Sequence, residues 1–298
     1  MSFLRQLRRL LEDPPPEFIF EVSEAGISVT RHSGGGNIDF HPLPSGVLSV
    51  SPLVDNVLQP DTLAWQVKSI LPPTNSKKRR KVAIILPDYC SRLTVLDFDS
   101  FPKDPAEQNT LVRFRVKKSV PFDVDSAAVA YHVQPRPGSK TLDVVVVVTA
   151  LEIIARYEAP FRAAGLQPGL VTISAVSALN LVPATEGPLV YAKLAGRVIT
   201  VSVVEAGALK MVRCLELSEL NHAEFFTILM PTIAYMEDEL KRRPEKVIVS
   251  GFGDMDPHEI MSWEQELGVP VEALRSRFGL AGQNNAGLLG YLEGEMVN

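Results

Sequence analysis

The sequence predicts an α/β fold built twice over, and three observations carry that expectation. A run of three short strands opens near residue 18 and another near residue 188, each followed by helix, strand, helix and strand. Two later strands, KVAIILP (81–87) and KVIVSGF (246–252), are apolar almost throughout, as strands buried on both faces are. Finally, 298 residues that are 46% hydrophobic and 22% charged are enough for one large core or two ordinary ones.

The elements follow in order. MSFLRQLRRLL sets Phe3, Leu4, Leu7, Leu10 and Leu11 at helical spacing, with Arg5, Arg8 and Arg9 mostly on the other side. Pro14 to Pro16 end that helix. It has the character either of a segment packed on its own domain or of one lying on an anionic membrane surface. FIFEVS, GISVTRH and NIDFHPL are strands separated by EAG and SGGG turns. After a Pro-rich stretch, residues 61–70 read as a helix with Asp61 as N-cap. KVAIILP and RLTVLDF are strands, 104–116 a polar helix, and AAVAYHV and LDVVVVV two more strands. Residues 152–164 form a helix stopped by Gly165, followed by LVTI and SAVSALNL. In the second half PLVYAKL, RVITVSVVE and ALKMVRCLEL are the strands. A long helix is expected over about 220–242, then KVIVSGF, a helix over 257–267, the strand VPVEAL and a closing helix over 284–292.

Composition and motifs exclude several classes of function. A net charge of −5 and a pI of about 5.6 argue against a nucleic-acid partner. Two cysteines, Cys90 and Cys214, give no disulfide framework, and Cys90 has no neighbouring base to activate it. The longest uncharged apolar run, Val144 to Leu151, is too short to span a bilayer. The five histidines have no metal-binding spacing, and no nucleophile elbow or P-loop occurs. Gly251 and Gly253 begin a G-x-G, but Asp256 stands where a dinucleotide fingerprint needs glycine. Three D-x-D pairs (Asp97/Asp99, Asp123/Asp125, Asp254/Asp256) read as turn and strand-end residues. KKRRK (77–81) reads as a solvated loop, with an acidic partner or lipid headgroups as the sharper alternative. Nothing here asks for an enzyme.

Two halves that each begin with a three-stranded meander suggest the actin-like ATPase architecture, a ribonuclease H-like fold. The stretches FEVSEAGISVTRH, HPLPSGVLSVSPLVDNVLQPDTLAWQVKSILP and KVAIILPDYCSRLTVLDFDSFP strengthen that suggestion. So do VRFRVKKSVPFDVDSAAVAYHVQ and EAPFRAAGLQPGLVTISAVSALNLV. Together they resemble the PilM family, actin-like cytoplasmic proteins of bacterial type IV pilus assembly. The resemblance runs through residues 18–182 and, with a gap, 188–292. It implies an N-terminal segment and linker (1–16), a first half (17–187) holding a small inserted α/β subdomain at about 90–168, and a reduced second half (188–298). It also implies a place at the inner face of the inner membrane. The partners would be a PilN-like bitopic membrane protein, bound through its cytoplasmic tail, and other platform or motor proteins.

Members of that family often bind ATP in the central cleft, so the cleft residues can be weighed singly. Such a cleft needs two hairpin turns whose backbone N–H groups cradle phosphates, with a carboxylate on each to position Mg²⁺. The family's first hairpin reads Asp-Ile-Gly-Ser; here the matching residues are Glu21, Val22, Ser23 and Glu24. Glu24 would oppose a phosphate by about 1 kcal/mol or more. On the second hairpin Lys193, Leu194 and Ala195, followed by Gly196, replace Asp-Ile-Gly. Lys193 is able to touch a phosphate but not to hold a metal. The third element survives in part as Ser250-Gly251-Phe252-Gly253. LELSELNHAEFF leaves little room for the helical subdomain that walls the family's adenine pocket. The expectation is a scaffold with a degenerate cleft and no cofactor; a working ATPase using ATP and Mg²⁺ is the alternative.

Overall fold

The structure is a computed structural model and describes residues 15–32, 36–73, 79–135 and 141–297. The N-terminal segment expected to be an amphipathic helix lies outside the described residues, as do Lys77 and Lys78 of the KKRRK run. Strands β1 (Phe18–Ser23), β2 (Gly26–Arg31) and β3 (Asp39–Pro42) form the first meander. Helix α1 (Pro60–Ile70) leads to β4 (Arg80–Leu86), which lies parallel to β1. A single 3₁₀ turn, Asp88–Cys90, follows it. Next come β5 (Arg92–Phe98), α2 (Pro105–Val116), β6 (Ala127–Pro135) and β7 (Leu142–Ala150). Helix α3 (Leu151–Ala163), β8 (Leu166–Ile173) and the short α4 (Ser174–Ala178) close the first half. The first sheet has the order β3-β2-β1-β4-β8.

The second half repeats this plan. Strands β9 (Pro188–Ala195), β10 (Val198–Glu205) and β11 (Ala208–Glu216) form a meander, and α5 (His222–Tyr235) returns the chain to β12 (Val247–Ser250). Helix α6 (Pro257–Leu267) and β13 (Val271–Ala273) complete a sheet ordered β11-β10-β9-β12-β13. Strand for strand, the two orders match. A tiny hairpin, β14 (Arg275–Ser276) and β15 (Gly279–Leu280), precedes the last described helix, α7 (Ala286–Val297).

Alternation along the strands sorts the core into layers. In the first sheet Phe20, Val82 and Ile84 face α1 and α3, meeting Leu63, Val67, Tyr157 and Phe161. Ile19, Ala83 and Ile85 face the other way, onto Leu288, Tyr291 and Leu292 of α7. In the second sheet Val190, Ala192, Val247 and Val249 pack on α5 and α6, whereas Leu189, Tyr191 and Ile248 meet Ala178 of α4 and Leu289 of α7. The α4–α7 pair therefore lies between the sheets, covering both, and the central strands read as continuously apolar for that reason.

The inserted unit is the three-stranded sheet β5-β7-β6 with α2, spanning residues 92–150 and holding a small core of its own. The sequence placed this unit at about 90–168; α3, within that range, packs with α1 on the first sheet. The insert also reaches the second half. Gln134 on β6 donates to the Leu209 carbonyl and accepts from the Leu209 N–H, both at 2.9 Å. Beside it Lys210 reaches the buried Asp143 of β7 at 3.2 Å.

Three helix boundaries differ from expectation, one of them α7, which runs Ala286–Val297 where 284–292 is expected. Helix α1 begins at Pro60, after Gln59, and Asp61 sits inside its first turn rather than at the cap. Proline is at ease there because the first N–H groups have no intrahelical partner. Helix α5 ends at Tyr235, and Met236–Leu240 continue as a π-helical turn closed by Lys241 at φ +55. Only residues 217–221 link β11 to α5, so no subdomain intervenes there.

Candidate functional site

Strand register relates Glu21 to Lys193. On β1 Glu21 pairs with Ile85 of β4 and faces Ser28 of β2. On β9 Lys193 pairs with Ser250 of β12 and faces Thr200 of β10. The duplicated fold thus places a carboxylate and an ammonium at corresponding positions, and both are almost fully buried. Such charges survive burial only with partners.

The partner of Lys193 comes from the other half. Asp88, on the 3₁₀ turn after β4, accepts from Lys193 Nζ at 2.9 Å and from Thr200 Oγ1 at 2.8 Å through one oxygen. Its other oxygen accepts from the Ala175 N–H at 2.6 Å. Three donors from both halves thus converge on one buried carboxylate. For Lys193, burial alone would lower the pKa, but Asp88 and Glu21 outweigh it and hold the ammonium above its ordinary value.

Glu21 is held differently. It accepts from Ser174 Oγ at 2.5 Å, from Gly287 N at 3.3 Å and from Leu288 N at 2.7 Å. The last two are among the first N–H groups of α7, which have no intrahelical partner of their own. Burial raises its pKa more than Lys193, Ser174 and the two amides lower it. A carboxyl raised in the fold contributes stability below its unfolded pKa and loses that contribution as pH rises through the folded value. Glu21→Gln keeps the acceptor for Leu288 and gives Ser174 a donor in place of an acceptor. The stability difference between this variant and the parent should be small near pH 4 and should move in favour of Glu21→Gln towards pH 8. Thermal melts across that range check it; a difference that stays flat or reverses would refute the account.

The remaining cleft residues sit at the two hairpin tips. Ser23 Oγ bridges its own turn to Gly26, and Glu24 accepts from the Val50 N–H at 2.6 Å. Both line a void of about 70 Å³, shared with Ala195 and Gly196 of the second hairpin. Small-molecule sites usually offer ~300–1,000 Å³. The charges at its edge are engaged as well: Arg197 donates to the Leu217 and Ser218 carbonyls.

Gly251 and Gly253 stand apart from that void, lining a separate cavity of about 180 Å³. Gly251 has φ +84, and a Cβ there would lie 1.9 Å from the Leu194 carbonyl oxygen. Its lack of a side chain is what lets the β12 turn close against the end of β9. Among the described residues no group of three or more His, Cys, Asp or Glu is placed to hold a metal ion. Of the D-x-D pairs, Asp256 is the N-cap of α6 in a capping box with Glu259, and Asp123 caps a 3₁₀ turn. Burial pushes the thiols of Cys90 and Cys214 up to about 12, so neither is a nucleophile at neutral pH.

Sequence reasoning missed Asp88, Thr200 and Ser174. The available signal was a charged residue in LPDYC, directly after a buried strand, together with a lysine in PLVYAKL that needed a counter-charge. Nothing local connects positions 105 residues apart.

Paired meander sheets, a helix pair between them and two facing hairpins define the actin-like ATPase fold, with an inserted subdomain in the first half. Among solved structures, this chain is similar to a PilM–PilN type IV pilus biogenesis complex, with TM-score 0.72, 18% identity and coverage of 96% of this chain and 100% of that one. It is also similar to a Bacteroides thetaiotaomicron protein with an actin-like ATPase fold and unknown function (TM-score 0.54, 12% identity, 91% and 94% covered). A third is the cytoplasmic domain of EpsL, an inner-membrane component of the Vibrio cholerae type II secretion system (TM-score 0.51, 13% identity, 94% of each chain). At these identities the likeness is one of fold. No protein-family model and no curated sequence matches the chain.

Proposed function

We propose that this protein is a cytoplasmic scaffold of the inner-membrane platform that assembles type IV pili. In this reading it binds the cytoplasmic tail of a PilN-like bitopic membrane protein, contacts other platform or motor proteins, and hydrolyses no nucleotide. One observation carries the second part. The centre of the cleft holds Asp88 accepting from both Lys193 and Thr200, where an ATPase would need room for phosphates and a carboxylate free to orient hydrated Mg²⁺. Asp88 is engaged through both oxygens, Glu21 is sealed under α7, and the void between the hairpins is about 70 Å³. These residues do not suit Mg-ATP. The five-residue link before α5 supports the same reading, since no subdomain stands there to wall an adenine site.

The pilus assignment is supported by the fold-level likeness, over nearly the whole of both chains, to a structure described as a PilM–PilN complex. No described helix is long and apolar enough to cross a membrane. Titrating the full chain with a synthetic cytoplasmic tail of its cognate membrane partner should release or absorb heat with a saturable 1:1 profile. A flat calorimetric trace would remove the scaffold reading. Millimolar Mg-ATP should leave the melting temperature unchanged, whereas a shift of several degrees would restore the ATPase.

A further inference from the structure

A third recess lies on the opposite side of the second half from α4 and α7. It has a volume of about 260 Å³ and opens between the starts of α5 and α6. Phe225, Phe252 and Trp263 form its wall, with ring centroids 5.0 Å apart for Phe225–Phe252 and 5.3 Å for Phe252–Trp263. Leu220, at its mouth, is 55% exposed. The five-residue link from β11 to α5 is too short to cover this face. Asn221, Glu259 and Ser262 supply polar lining beside these apolar groups.

The formal charge of its lining is negative. Its lining contains Glu259 and no Lys or Arg. Glu219 and Asp254 flank lining residues in the chain, and Glu266 pairs with His222 at 3.3 Å. The occupant should therefore bring apolar side chains and positive charge together. Residues 1–11 have that composition: Phe3, Leu4, Leu7, Leu10 and Leu11 on one stripe, Arg5, Arg8 and Arg9 mostly opposite, and no acidic residue.

We propose that this pocket receives the basic amphipathic segment of residues 3–11 from a second copy of the chain. A neighbour, rather than the same molecule, follows from where the segment joins. It leads into Phe18, whereas the other end of β1, Ser23, meets the second half at the cleft. The pocket follows Ser250, which pairs with Lys193 at the cleft end of β12. The first described residues therefore enter β1 at the end that points away from the pocket. Because segment and pocket are different surfaces, the contact is head-to-tail and extends from copy to copy.

Sedimentation velocity on the full chain tests this with two variants. Arg5→Glu/Arg8→Glu/Arg9→Glu spoils the segment and leaves the pocket intact. Leu220→Lys spoils the mouth of the pocket at an exposed position and leaves the segment intact. The parent should self-associate with rising concentration and dissociate at high salt. Each variant should lose roughly tenfold or more in association constant. An equimolar mixture of the two should form 1:1 dimers and nothing larger, since only one good segment meets one good pocket. A parent that stays monomeric at every concentration would overturn the proposal, and so would a mixture that forms no dimer. Binding of the monomeric parent to phosphatidylglycerol vesicles but not to itself would assign the segment to lipid and overturn it equally.

Discussion

Replacing Asp88 by Asn should cost about 3–5 kcal/mol of unfolding free energy, as should replacing Lys193 by Met, because each leaves a buried charge without its partner. In Asp88→Asn the new amide points at an ammonium, donor against donor. In Lys193→Met the carboxylate keeps Ala175 and Thr200 but loses its counter-ion. The double variant should recover most of the loss. Its Asn oxygen still accepts from the Ala175 N–H, its amide donates to Thr200 Oγ1, and the methionine fills the lysine's track with apolar atoms. Urea unfolding of the four proteins yields a coupling energy directly. Losses that simply add would show that the two halves are not tied together by this pair.

The second large effect is expected at Gly290. Helix α7 crosses α4 so closely that a Cβ on Gly290 would lie 2.0 Å from the Ser177 carbonyl oxygen and 2.8 Å from Ala178 Cα. Both are backbone atoms, which have no rotamer by which to step aside. Gly290→Ala gains about 1 kcal/mol of helix propensity. The overlap should outweigh that, for a net loss of about 2 kcal/mol or more. The damage should also spread in a particular direction. A displaced α7 withdraws the Gly287 and Leu288 amides from Glu21 and leaves a buried carboxyl short of donors. Hydrogen exchange should therefore quicken across residues 286–297 more than across α5. Unchanged protection with an unchanged melting temperature would sink this account.

Much of this was legible in the sequence because strands and helices write their burial locally. KVAIILP announces a strand covered on both faces, and the covering helices α3 and α7 are there. PLVYAKL marks Lys193 as odd, since a lysine in a strand buried on both faces needs a counter-charge. The identity of that counter-charge is not local information. Asp88 acquires its meaning only when the 3₁₀ turn of one half meets β9 and β10 of the other. Sealing of Glu21 depends on a helix that starts 265 positions later in the chain, at Ala286. Smaller misses have local causes. Asp61 has the chemistry of a cap, but the cap falls two residues earlier, at Gln59, with Pro60 opening the helix. Most of the second-half helix reads correctly until the π turn at Met236, which no periodicity announces.

The position of α7 has a consequence for how the protein is made. The first sheet, complete in its strands once β8 has formed, leaves Ile19, Ala83 and Ile85 uncovered until Leu288, Tyr291 and Leu292 arrive. On a ribosome adding ~5–20 residues per second, the interval between β8 and α7 lasts roughly 5–25 s. During it the nascent first half carries a greasy face and an unsatisfied Glu21. The fold is thus two halves in architecture but one unit in time, finished only by its last described helix.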